Sequence, residues 1–186
     1  MSTQPLRPGA AGPAPSGAQR PWQRLLLEAL QASGCRFVAY VPDSVWKVFL
    51  EEAAGWPSVR LVPLCREEEG IGVLAGLFLG GQRGVLVTQA SGVGNCLNAL
   101  GSLAIAQRIP VVMLVTERGG LGETIPSHLP FDGRLARVLE AMGIACYPVQ
   151  ETGQLGRVVQ GAFQLAYTCR TVACVLVSPW VTGPGA

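Results

Sequence analysis

The sequence predicts a three-layer α/β/α sandwich around a six-stranded, mainly parallel sheet. Three observations lead there. Short β-rich runs alternate with longer helical ones along almost the whole chain. Runs such as "GVLVTQA" and "IPVVMLVTE" are continuously apolar instead of alternating, which fits strands covered on both faces. And 186 residues suffice for one domain with a substantial core.

Residues 1–20, rich in Pro, Gly, Ala and Ser, cannot bury a core and read as a disordered tail. The folded domain is expected over 21–181, with 182–186 a flexible end. "PWQRLLLEALQASG" reads as a helix, with Pro21 near its first turn and Gly34 just past its end. "RFVAYV" is a strand, and "DSVWKVFLEEAAG" a helix capped by Asp43 or Ser44. "VRLVPL" is a strand, "REEEGIGVLAGLFLGG" a helix, "GVLVTQA" a strand and "SGVGNCLNALGSLAIAQR" a loop and helix. The strand "IPVVMLVTE" is followed by a long Gly- and Pro-containing loop and the helix "DGRLARVLEAMG". "IACYPV", "GQLGRVVQGAFQLAYTC" and "TVACVLV" complete the alternation as strand, helix and strand.

Composition narrows the function. Charged residues are 14% of the chain, against about a quarter in a typical soluble domain, so another subunit is expected to cover part of the surface. The apolar run around Ile109–Thr116 is strand-sized, well short of the ~18 residues of a membrane span. The net charge is +2 and the arginines are scattered singly, so no basic patch or stripe argues for nucleic acid. The six cysteines lie mostly in or beside apolar segments with no CxxC pair, and read as reduced, mostly buried thiols of a cytoplasmic protein. No apolar signal core precedes residue 21.

In parallel α/β sheets, ligands bind where loops leave the carboxyl ends of the strands. That directs attention to Val41–Ser44, Leu64–Glu69, Thr88–Asn95 and Glu117–Pro130. Three consecutive glutamates, Glu67, Glu68 and Glu69, open one helix, sweeping ~200° at ~100° per residue. They cannot all face water. Glu67 and Glu68 lie one turn before Ile71 on the apolar face, whereas Glu69 aligns with Gly72, Gly76 and Gly80, a groove of bare backbone. Periodicity does not choose between Glu67 and Glu68. A carboxylate in apolar surroundings can exchange protons near neutrality, while any exposed member of the trio serves the helix dipole. "SGVGN" (Ser91, Gly92, Gly94 and Asn95 with Val93) follows a strand and opens a helix, but it lacks a complete phosphate-loop fingerprint. The single histidine, His128, lies on the long loop, whose length points to function. No GxSxG and no metal-ligand spacing occur.

The segment from "CREEEGIGVLAG" through "SGVGN" to "RIPVVMLVTERG" resembles the pyrimidine-binding domain of thiamine-diphosphate enzymes, over roughly residues 22–180. With "VPDS", "REEEG", "SGVGN", "RIP" and "ERG", it is most similar to the α subunits of sulfopyruvate decarboxylase and to phosphonopyruvate decarboxylases. The resemblance implies that Glu68 is the glutamate that hydrogen-bonds N1′ of the cofactor aminopyrimidine, with Ser91, Gly92, Gly94 and Asn95 beside it. It further implies that Asp43, Ser44 and Arg118 meet the substrate, a planar guanidinium being suited to a sulfonate or phosphonate, with Arg66 a second candidate, and that His128 lies where related enzymes carry proton-relay histidines. The expected activity is decarboxylation of a 2-oxo acid, the electrons being accepted by the cofactor.

The family's Mg²⁺- and diphosphate-binding half, marked by Gly-Asp-Gly and a later asparagine, has no counterpart here. "FDGRL" lacks the leading glycine, and Asn95 and Asn98 lie upstream of it. A β subunit carrying Mg²⁺ is therefore expected, in an α2β2 or larger assembly without which the chain is inactive. Two other readings are a nucleotide- or phosphate-binding protein using "SGVGN", and a non-catalytic interaction domain of the same fold.

Overall fold

The structure, a computed structural model, describes residues 21–131 and 133–183. The expected tail, Asp132 and residues 184–186 fall outside them. Six parallel strands stand in the order β2-β1-β3-β4-β6-β5: β1 (Phe37–Tyr40), β2 (Arg60–Pro63), β3 (Gly84–Gln89), β4 (Val111–Thr116), β5 (Ala145–Val149) and β6 (Val172–Val177). The helices are α1 (Trp22–Ala32), α2 (Lys47–Ala54), α3 (Glu67–Leu79), α4 (Ala90–Ala99), α5 (Arg134–Ala141), α6 (Leu155–Cys169) and the short α7 (Pro179–Thr182).

Side chains alternate across a strand, so β4 serves two cores at once. Val112 and Leu114 pack with Trp46, Phe49 and Phe163 from the α1, α2 and α6 layer. Val111, Met113 and Val115 pack with Ile71, Leu74, Leu100 and Leu139 from the α3, α4 and α5 layer. The continuously apolar pattern thus means two covered faces in β3, β4 and β6. It does not at the sheet edges, where β2 and β5 keep partly exposed faces because no further strand or full helix layer lies beyond them.

Three boundaries differ from expectation. α2 begins at Lys47, because Asp43 closes a separate turn first: its Oδ1 accepts from the backbone N–H of Val45 at 2.8 Å and of Trp46 at 3.3 Å. "SGVGN" is not a loop, since α4 starts at Ala90 directly after β3 and includes it, neither glycine adopting a positive φ. α4 then runs into a π-helical turn, Leu100–Ile105. Gly34 and Gly143, at φ 69° and 78°, end α1 and α5 as left-handed caps. Among the cysteines Cys35, Cys96 and Cys174 are buried, but Cys65 and Cys169 are exposed at element ends.

The chain leaves β1 toward one edge of the sheet and returns on its other side as β3. Loops that diverge in this way open a crevice at the carboxyl ends of the strands.

Candidate active site

The three glutamates divide their work at the start of α3. Glu69 makes the capping box, its Oε2 accepting from the N–H of Cys65 at 3.0 Å and of Arg66 at 3.4 Å. It therefore serves the helix terminus, a role the sequence pattern allowed to any of the three. The glycines it was aligned with do form a bare face: a Cβ on Gly72 or Gly76 would meet nothing within 4 Å.

Glu67 lies against α4. Glu67 Oε2 accepts from Asn95 Nδ2 at 3.0 Å. Gly92 is what permits this approach, because a Cβ there would collide with Thr88 Oγ1 and come within 2.5 Å of Glu67 Oε1. The glycine of "SGVGN" thus provides close packing and no tight turn. Glu68 Oε1 meets Arg66 Nε at 2.7 Å, with side chains 28% and 69% exposed, so that pair is weak by itself. Its other oxygen, Oε2, is buried and has no hydrogen-bond partner. A buried acceptor left unpaired costs about 1–3 kcal/mol, and such atoms mark strain or a missing donor. Cys96, in the second turn of α4, registers both carboxylates: burial first, then the charges of Glu67 and Glu68, push its thiol up to about 12.

Across the first turn of α4 lies a cavity of about 630 Å³, bounded by Ser44, Ala90, Arg118, Phe131 and Trp180 among others. Arg118 reaches Asp43, Nη2 to Oδ2 at 3.6 Å, with both side chains largely buried at 14% and 9% exposure. Its Nε is buried without a partner. Two of the expected substrate-contacting residues therefore form one ion pair, while Ser44 lines the cavity beside them.

The long loop is organised by a residue that the sequence did not single out. Glu123 accepts the N–H groups of Thr124 and Ile125 on Oε1, each at 3.0 Å, and that of Gly119 at 3.1 Å on Oε2. His128 Nδ1 meets the same Oε2 at 3.1 Å. These bonds, chiefly the one from Ile125, hold the Glu123 carboxyl down at about 2, against the cost of desolvation. Being ionised, Glu123 can only accept, so Nδ1–H donates the hydrogen bond and, in the neutral ring, Nε2 of His128 carries no proton. His128 is buried inside a 3₁₀ turn, Pro126–Phe131. Among the described residues no hydrogen bond or ion pair joins it to Glu67 or Glu68. A carboxylate five residues before a histidine and followed by Thr-Ile was the available signal, and it is weak because Glu is common in loops.

Taken together, the strand order, the carboxylates at the start of α3 and the glycine that admits Glu67 against α4 define a pyrimidine-binding domain of the thiamine-diphosphate enzyme type. The chain is 31% identical over 150 residues to sulfopyruvate decarboxylase subunit alpha of Methanococcus maripaludis, covering 81% of this chain and 90% of that one. It belongs to the family of sulfopyruvate decarboxylase α subunits. It is also 30% identical over 131 residues to the sulfopyruvate decarboxylase of Methanosarcina acetivorans, covering 70% of this chain but 33% of that one. Its fold matches that of 2-oxoglutarate:ferredoxin oxidoreductase from Magnetococcus marinus with a TM-score of 0.68 at 14% identity, over 88% of this chain and 29% of that one. No family model matches the sequence. Among the described residues no helix is long and apolar enough to cross a membrane, and no cluster of His, Cys, Asp and Glu is suited to a metal.

The donor set fits a thiamine cofactor in one respect that the structure itself carries. The buried Glu68 Oε2 is an acceptor without a donor at the start of α3.

Proposed function

We propose that this chain is the α subunit of a two-subunit, thiamine-diphosphate-dependent decarboxylase acting on a sulfopyruvate- or phosphonopyruvate-like 2-oxo acid. The observation that carries the reading is Glu68: a buried, unpartnered carboxylate oxygen at a helix start, in a chain of this family. When bound, the cofactor supplies a carbanion that adds to a ketone and an electron sink that lets carbon dioxide leave. The protein's part is to hold protons and charges at defined atoms. Glu68 Oε2 accepts a hydrogen bond from ring nitrogen N1′ of the pyrimidine and so sets which nitrogen of that ring carries a proton. Ser91, Gly92, Gly94 and Asn95 form the wall beside it, with Asn95 kept in place by Glu67. Arg118 and Asp43 form a buried charge pair near the substrate, Ser44 adds a hydroxyl, and His128, fixed through Nδ1 by Glu123, offers Nε2 to a product proton. Mg²⁺ and the diphosphate belong to a β subunit, and a cytoplasmic α2β2 or larger assembly completes the site. In support, one relative of about this chain's length is named a subunit, whereas in the other the matched stretch is 33% of a longer chain whose name lacks that word.

A second reading exchanges two neighbours. Glu67 is the carboxylate that packs on Gly92, so it is the alternative acceptor. The test is to co-express the chain with a candidate β subunit and compare Glu68→Gln with Glu67→Gln. Carbon dioxide release and thermal stabilisation of the complex by thiamine diphosphate are both measured. Loss of both in Glu68→Gln, with assembly intact, supports the assignment. Full activity in Glu68→Gln with loss in Glu67→Gln transfers the role to Glu67. Full activity in both variants ends the proposal.

A further inference from the structure

The arginines that look scattered in the sequence are gathered by the topology. In an all-parallel sheet every strand begins at the same edge, so residues that precede strands share one rim, opposite the site above. Arg60 starts β2, Arg36 precedes β1, Arg83 precedes β3, Arg108 lies shortly before β4 and Arg170 shortly before β6. Those five strands are consecutive neighbours in the sheet. Backbone bonds tie the first three directly: Arg60 N–H donates to Arg36 O at 2.7 Å, and Arg36 N–H to Arg83 O at 3.0 Å. At ~4.8 Å between strands, five of them give a row about 20 Å long. The expectation of no basic patch or stripe is therefore overturned in space, though it holds along the chain.

All five arginines are exposed. Among the described residues none is ion-paired with a carboxylate, although Glu52 and Glu140 stand near the same rim at the ends of α2 and α5. Helix C-termini also end here and attract cations. That accounts for Arg83, whose Nη1 donates to Ser33 O at the end of α1 at 3.0 Å. The other four make no bond of that kind among the described residues.

Arg108 and Arg170 add an independent observation. They hold φ values of 51° and 50°, and they are the non-glycine residues of the described chain with positive φ. This left-handed backbone favours glycine, which the chain uses at comparable helix ends such as Gly34 and Gly143. Retaining a long cation where glycine is more stable points to use of its charge.

Two features select the kind of ligand. Arg60, Arg83 and Arg170 lie over Phe37, Tyr167 and Phe78, at 6.0, 4.7 and 5.8 Å, so those rings are covered by guanidinium and are not open platforms for stacked bases. Leu79 and Ile105, at the ends of α3 and of the π turn on this rim, are 77% and 40% exposed. Guanidiniums, three of them held over rings, beside apolar side chains suit carboxylates interleaved with apolar residues. We propose that the amino-end rim, Arg60-Arg36-Arg83-Arg108-Arg170, is a docking surface for an acidic segment of a protein partner, separate from the catalytic rim.

The test uses the full chain and fluorescence anisotropy of a labelled short polyglutamate peptide at about 50 mM salt, with a short oligothymidylate of matched charge as the second probe. The proposal expects peptide binding that weakens as salt is raised. It also expects binding about tenfold weaker or worse in a variant combining Arg36→Gln, Arg60→Gln and Arg108→Gly, at an unlowered thermal midpoint. A single variant, Arg108→Gly, guards against a triple variant that misfolds: it should weaken binding while raising the thermal midpoint. No peptide binding by the wild type, unchanged binding in both variants, salt-independent binding, or tighter binding of the oligothymidylate would each overturn the proposal.

Discussion

The two rims of one sheet carry opposite chemistry. At the carboxyl rim, helices begin, carboxylates collect, and polar atoms are buried: Glu68 Oε2, Arg118 Nε and the Glu123 hub all lie there. At the amino rim, helices end, arginines collect, and the charges stay exposed. Helix dipoles favour this sorting, with negative charge at helix starts and positive charge at helix ends. They do not explain its cost. Unpaired buried atoms at one rim and left-handed arginines at the other are both less stable than simple alternatives, and each suggests a ligand. The comparison can be broken at either end.

The largest effect is expected at the carboxyl rim. If Glu68 acts as proposed, Glu68→Gln in a complex with a β subunit should lower carbon dioxide release by about 10²-fold or more, since tuned proton transfer contributes about 10²–10⁴. Assembly should survive, because the Arg66 pair it loses is mostly exposed. A decarboxylation assay with size-exclusion chromatography separates these outcomes.

Next in size is packing. Gly92→Ala drives a methyl into Thr88 Oγ1 and Glu67, and should destabilise the fold by about 1–3 kcal/mol in a denaturant titration. Gly72→Ala, where a Cβ meets nothing, should be stabilising by about 0.5–1 kcal/mol. If the two behave alike, Gly92 is not what lets Glu67 approach α4.

How much of each rim could be read beforehand depends on sequence locality. "REEEG" and "SGVGN" are contiguous, so the carboxyl rim announces its chemistry in short words. The strands were equally legible, because burial on both faces leaves unbroken apolar runs. The division of labour among three adjacent glutamates was not, since it depends on Arg66 being extended at φ −144°, which turns Glu69 back to the cap. Nor was the Glu123 hub, whose four donors come from one loop that only the folded backbone closes. The amino rim was invisible, since its arginines sit far apart in the sequence and become neighbours through strand order alone.

A pH experiment sharpens the carboxyl side. Glu123 is held at about 2, below its ordinary value of 4.5. A depressed carboxyl stabilises the native state fully above its unfolded value, and loses that contribution as pH falls through the folded one. The stability gap between wild type and Glu123→Gln should therefore be constant above about pH 4.5 and shrink steadily toward pH 2. Denaturation curves at a series of pH values measure it. A gap that is independent of pH would show that the loop does not depend on the charge.

The smallest effect lies at the amino rim and has the opposite sign. Arg108→Gly relieves an L-residue of a left-handed backbone, a gain of roughly 1–2 kcal/mol, against the added freedom that glycine brings to the unfolded chain. The net should be a stabilisation of about 0.5–1 kcal/mol, readable as a higher denaturation midpoint, and Arg170→Gly should behave alike at φ 50°. If the arginines serve only the helix ends, their removal should lower stability, because a favourable cation would be lost from the negative end of a helix. A gain in stability would mean that the fold tolerates them for something other than folding. At the carboxyl rim the corresponding cost falls on Glu68 Oε2, so the sign of this one measurement decides whether both rims share the same trade.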